Sequence, residues 1–139
     1  MDGIMIRKLA FFAAISAATL PILAYAQHRD IDLHGYDDDL MRDLDKSIKY
    51  FEPDITAGNA SNALDDAAVL QEGFKYTLDY FSKKGDAGDA VQISKEGQDY
   101  VAAAIRSVSE NNFETAAEAA RGAANACRAC HEIYKPLKK

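Results

Sequence analysis

The chain has 139 residues, 48% of them hydrophobic and 27% charged, with a formal net charge of −6. That is one domain's worth of chain, too charged for a membrane bundle and too apolar for a disordered tail. Three prolines, eight glycines and no tryptophan exclude collagen-like and low-complexity chains and argue against an all-β domain, and the acidic balance disfavours nucleic acid as a partner.

Residues 1–26 read as a secretory signal peptide. Arg7 and Lys8 form a short basic region, and residues 9–23 are almost wholly apolar or small. Ala24-Tyr25-Ala26 then places small residues at the two positions a signal peptidase reads. Asp2 is unusual in such a leader, which makes Met5 a second candidate start. The competing reading is a membrane anchor, but Pro21 interrupts the run, and a spanning helix wants ~20 apolar residues. Cleavage after Ala26 leaves no membrane span and removes Asp2, Arg7 and Lys8, so the net charge moves from −6 to −7. Residues 27–35 read as an N-terminal segment with His28 solvated.

Residues 36–139 read as a helical domain. Over 36–51, Met41, Leu44, Ile48 and Phe51 fall on one face of a helix, with Asp37, Asp38 and Asp39 at its positive end. Pro53 bars a straight continuation, so 54–60 is expected to be a turn or kinked extension. A second helix is expected from Ser61 or Asn62 to Lys84. Leu64, Ala67, Ala68, Gln71, Phe74, Leu78 and Phe81 form its stripe, and Gly85 ends it. A third spans about 89–109, with Val91, Ser94, Val101, Ile105 and Val108 inward and Gly97 a weak point. Asn111 and Glu114 resemble a capping box for a fourth helix over about 112–135. Its face is small: Ala116, Ala117, Ala119, Ala120, Ala123 and Ala124. Short connections between four amphipathic helices predict an all-α, antiparallel up-down-up-down four-helix bundle.

The last helix carries Cys127-Arg128-Ala129-Cys130-His131, the C-x-x-C-H attachment signature for c-type haem. On a helix both thiols lean to one side and can form thioethers with the two vinyl groups of one porphyrin. His131, four residues from Cys127, lies on the same side and can reach the iron. A zinc site would need His28 and His34 at no recognised spacing. A redox C-x-x-C pair usually opens a helix after a strand, and a disulfide across three helical residues is strained. The domain is therefore expected to carry a C-terminal haem attachment, with one covalently attached haem c as the cofactor.

With that motif eight residues from the C-terminal Lys139, Tyr134-Lys135 following it and Met41 in the first helix, the chain resembles the class II c-type cytochromes. This four-helix group includes cytochrome c′. The resemblance implies a four-helix cytochrome domain over 36–139 and His131 as proximal ligand. From helical spacing alone Met41 reads as a core methionine; the resemblance turns it into the distal iron ligand of the low-spin branch. His34 is a weaker sixth-ligand candidate. Members commonly carry an arginine three or four residues before that methionine, where this chain has Asp38 and Asp37, so a salt bridge from that arginine to a haem propionate does not carry over; Arg42, Lys46 and Lys49 are the candidate substitutes. Members often pair through their first two helices, which raises a homodimer here.

The expected function is a periplasmic electron carrier with His131/Met41 ligation. The alternative is a five-coordinate, cytochrome c′-like protein that binds nitric oxide or carbon monoxide. No grouping of nucleophile, base and oxyanion donors points to an enzyme. The expected partner is a redox protein with a basic docking patch. A mature charge near −7 predicts electrostatic steering of that encounter. The association rate should fall as salt passes physiological strength, where screening acts over ~8 Å. Stopped-flow rates that stay flat with salt would leave the acidic surface a solubility role only.

Overall fold

The computed structural model describes residues 32–135. The expected signal peptide, His28 and Pro136 lie outside the described residues. Four helices fill the described chain: α1 (Asp38–Thr56), α2 (Ala60–Lys84), α3 (Gly88–Ser109) and α4 (Phe113–Tyr134), with no strand among the described residues. Residues 57–59, 85–87 and 110–112 connect them. Connections this short span at most ~10–14 Å, enough to cross to a neighbouring helix but not to run back along it. Each helix is thereby antiparallel to its sequence neighbour. The principal contacts run α1–α2, α2–α3, α3–α4 and α1–α4, so the helices ring a common interior. No described helix is long and apolar enough to cross a membrane.

The helix ends follow local chemistry, in places differently from expectation. Asp37 caps α1 from outside the helix, accepting from the Asp39 and Leu40 amides at 3.0 Å. Pro53 does not stop α1, which continues to Thr56. Its missing N–H removes one bond, to the Lys49 carbonyl, near the end of the helix and on an exposed face where water can replace it. Termination falls to Gly58, whose φ of +75° allows the Asn59 amide to return to the Asp54 carbonyl and its own amide to Ile55. The same motif ends α3 with Asn111 at φ +57°. Asn111 is therefore a helix terminator. The cap of α4 is Asn112, which accepts from the Thr115 amide at 3.3 Å.

The buried stripe of α2 is Ala63, Ala67, Leu70, Gly73, Phe74, Thr77 and Phe81. It lies about one residue from the expected one: Ala67, Phe74 and Phe81 are shared, whereas Leu64, Ala68 and Gln71 are exposed. On α3, Ser94, Val101 and Val108 are buried as expected, while Val91 and Ile105 are only partly so. The C-terminal half of α1, the N-terminal half of α2 and the α3–α4 turn meet at one end of the bundle. There Phe51, Ile55, Ala63, Ala67, Val108 and Ala116 are part of one continuous core. Most buried residues of α4 are alanines, so backbones can approach closely. Arg121 reaches Glu52 at 2.8 Å and ties α4 to α1 toward this end.

Three glycines carry close contacts that composition conceals, Gly122 among them, where a Cβ would lie 2.4 Å from Tyr100 Cδ1. A Cβ on Gly73 would lie 2.0 Å from Leu44 Cδ2, and one on Gly97 would lie 2.2 Å from Phe74 Cε1. Gly97 is thus a seat for the Phe74 ring. Gly73→Ala should destabilise the fold by about 1–3 kcal/mol through overpacking. Gly88→Ala, with nothing within 4 Å of the added Cβ, should be near neutral. Equal urea midpoints for the two variants would contradict this account of the α1–α2 contact.

Candidate functional site

The opposite end of the bundle holds a cavity of about 420 Å³. That volume lies within the roughly 300–1,000 Å³ range of small-molecule and cofactor sites. All four helices line it: Met41, Leu44 and Ile48 of α1, Leu70, Phe74 and Thr77 of α2, Ile93 and Ser94 of α3, and Ala124, Cys127, Cys130 and His131 of α4. The three-then-one spacing of Cys127, Cys130 and His131 sets both thiols and the imidazole along one side of α4. Met41 borders the same space from α1 and is half-buried. The fold therefore brings Cys127, Cys130, His131 and Met41 to one cavity.

The interior wall keeps its hydroxyl hydrogens to itself. Thr77 Oγ1 donates to the Gly73 carbonyl at 2.8 Å, and Ser94 Oγ donates to the Ala90 carbonyl at 2.7 Å. Since Thr77 already donates, the Tyr36 hydroxyl at 2.6 Å is the donor in their contact. Burial then pushes the Tyr36 phenol up to about 12. Tyr36 packs edge-on against Tyr76 and Tyr80, with ring centroids 5.2 and 5.0 Å away, which anchors the segment before α1 across α2. Together these contacts leave the inner wall apolar.

Charge is confined to the α1–α4 side, where Asp45, Lys49, Arg128 and His131 border the cavity. Lys49 Nζ bonds Asp45 Oδ2 at 2.7 Å, one turn apart on α1. Arg128 donates to the neutral Asn125 amide oxygen. Burial lowers the His131 pKa, Lys135 lowers it further, and Asp45 opposes both. The imidazole is therefore neutral near pH 7, the form that can ligate a metal. Among the described residues no ion pair engages it.

Cys127 and Cys130 are free thiols, and burial pushes each up to about 11. They stay protonated at neutral pH, unlike the reactive thiolate of a redox pair. No group of His, Cys, Asp and Glu suited to a metal ion occurs among the described residues. His34 lies elsewhere, in a surface depression with Tyr76, Tyr80, Lys83 and Lys84, its carbonyl accepting from Tyr80 at 3.2 Å. It is thus set apart from Met41 and His131. The residues present fit a haem: an apolar space between helices, two adjacent thiols for two vinyl groups, a neutral imidazole beside them and a thioether on a facing helix.

Sequence reading missed Leu70, Thr77 and, on the charged rim, Asp45 and Arg128; of its three candidate substitutes for the family arginine, Lys49 borders the cavity and Arg42 and Lys46 do not. The first two were legible in principle, since Ala63, Ala67, Leu70, Phe74, Thr77 and Phe81 step regularly by four and three. Two conspicuous leucines, Leu64 and Leu78, drew the stripe off by one. No protein-family model, curated protein or solved structure matches the chain.

The raised thiols have a consequence for the chain without attached haem. Below pH 9, the ordinary thiol value, both cysteines are protonated whether the chain is folded or not. Between pH 9 and about 11 the unfolded chain ionises first, so stability should fall across that window. Urea titrations from pH 8 to 11, compared with a Cys127→Ala/Cys130→Ala variant, measure this. Parallel pH profiles for the two proteins would be evidence against thiol burial.

Proposed function

We propose that this chain is an exported, monohaem c-type cytochrome that carries single electrons in the periplasm. Cys127 and Cys130 hold the haem covalently, with His131 as the proximal iron ligand and Met41 as the distal one. The observation that carries this reading is the shared cavity: the C-x-x-C-H residues of α4 and Met41 of α1 border one apolar space. The bound group supplies an iron that gains and loses one electron. The residues do the rest. The two thiols fix the macrocycle to α4, so it stays with the protein through every oxidation cycle. His131 offers a neutral nitrogen, and the Met41 thioether favours the reduced iron and raises the potential. Leu44, Leu70, Phe74 and Ile93 supply apolar wall beside these groups, which lowers the local dielectric and limits reorganisation on charge change.

The same apolar wall suits a five-coordinate protein that binds nitric oxide or carbon monoxide if the Met41 sulfur stays off the iron. Haem staining of the denatured, purified chain tests attachment first. Absence of a covalent haem band would sink both readings and leave a helical binding module. Met41→Leu then separates the two, since leucine keeps the volume but cannot ligate. Loss of methionine ligation should move the ferric protein toward high spin, open the ferrous protein to carbon monoxide and lower the potential. An unchanged low-spin spectrum would remove Met41 from the iron. A wild-type protein that is already high-spin would favour the gas-binding reading.

A further inference from the structure

The rim of the cavity carries an unbalanced charge. Of the residues bordering the cavity, Asp45, Lys49 and Arg128 are charged at neutral pH. Asp45 and Lys49 offset each other through their 2.7 Å contact on α1. Arg128 has only the neutral Asn125 amide as its side-chain partner, and no ion pair among the described residues compensates it. An acidic chain thus presents a net positive rim where exposed residues of α1 and α4 border its apolar cavity. The inner wall offers an anion nothing, because Thr77 and Ser94 donate to their own helix carbonyls.

A haem is an apolar disc with two carboxylates on its edge. Burying those carboxylates in the inner wall would leave charges unpaired at a cost of several kcal/mol. Placing them at the α1–α4 opening keeps them hydrated and beside the cations. The start of α1 cannot supply that charge: Asp37 is the helix cap and Asp38 is exposed in the first turn. Arg42 is paired with Asp39 and, like Lys46, does not border the cavity.

We propose that Arg128 of α4 and Lys49 of α1, on opposite lips of the opening, bind the haem carboxylates. Arg128 is the stronger anchor, since its planar fork can take a carboxylate through two hydrogen bonds and it gives up no ion pair to do so. Lys49 shares its charge between Asp45 and the second carboxylate. This inference rests on the haem reading and extends it from the iron to the edge of the ring.

The test uses the haem-loaded protein and the variants Arg128→Gln, Arg128→Lys, Lys49→Gln and the double glutamine variant, with Lys46→Gln as control. Lys46→Gln removes the same charge from an α1 position off the cavity. Resonance Raman reads the carboxylate bending mode of the haem directly, and a redox titration reads the potential. Loss of the anchors should shift that mode. In the double variant it should also move the ratio of reduced to oxidised protein about tenfold toward oxidised at fixed potential, about 59 mV for one electron. Arg128→Lys should recover part of both effects. A carboxylate mode unchanged in all variants, with potentials matching the Lys46→Gln control, would overturn the anchor while leaving the cytochrome reading intact. A chain that carries no covalent haem would overturn both.

Discussion

The structure depends on a difference in how fully side chains fill the two ends of one bundle. Toward the far end, α4 presents Ala116, Ala117, Ala120 and Ala123, and the facing helices present Ala63, Ala67 and Ala104. Side chains this small bring backbones together and leave little room for anything else. At the opposite end Met41, Leu44, Ile48, Leu70 and Phe74 hold the helices apart around about 420 Å³. The glycines act within this geometry. Gly73 admits the Leu44 side chain between α1 and α2, and Gly97 receives the Phe74 ring against α3. Each lets a large residue at the cavity wall lie flat against its neighbour instead of filling the space.

The wall's polarity is settled by the same economy. Hydroxyls placed on helices have a backbone carbonyl four residues back within reach, and Thr77 and Ser94 both take it. Buried donors are thereby satisfied without a ligand, and no side-chain polar atom is left buried without a partner among the described residues. What remains open to a guest is sulfur, one imidazole and hydrocarbon. That set is complementary to an apolar surface and offers few hydrogen bonds to a sugar, a phosphate or a peptide. Charge enters only at the α1–α4 side, where solvent can share its cost.

Most of the architecture was legible in the sequence because it rests on local signals. The 3.6-residue spacing, the Lys83-Lys84-Gly85 ending and the C-x-x-C-H run each need only a few neighbouring residues to be read. The departures arise where a distant partner or the backbone decides. Pro53 looks like a stop, but near the end of an exposed helix it costs a single hydrogen bond, and Gly58 does the stopping. Asn111 looks like a cap, but the turn after α3 needs a residue that tolerates positive φ, and the cap moves to Asn112. Arg128 was illegible for a different reason. Nothing in the sequence relates it to Lys49, since the two border one cavity only because α1 packs against α4.

The cavity and the motif constrain each other energetically. A dry cavity costs about 24 cal/mol per Å³, so a 420 Å³ space would cost up to about 10 kcal/mol if fully enclosed. The solvent opening beside Asp45, Lys49 and Arg128 makes that an upper bound. Even part of it is a large fraction of the roughly 5–15 kcal/mol that holds a domain of this size together. A guest that covers the wall returns that energy to the folded state, and one linked to α4 by two bonds cannot leave. Non-covalent stabilisation scales with ligand concentration and disappears on dilution, whereas a tethered group stabilises at any dilution. On the proposed reading, a guest tethered through Cys127 and Cys130 would cover that apolar wall and stabilise the bundle without depending on its own concentration.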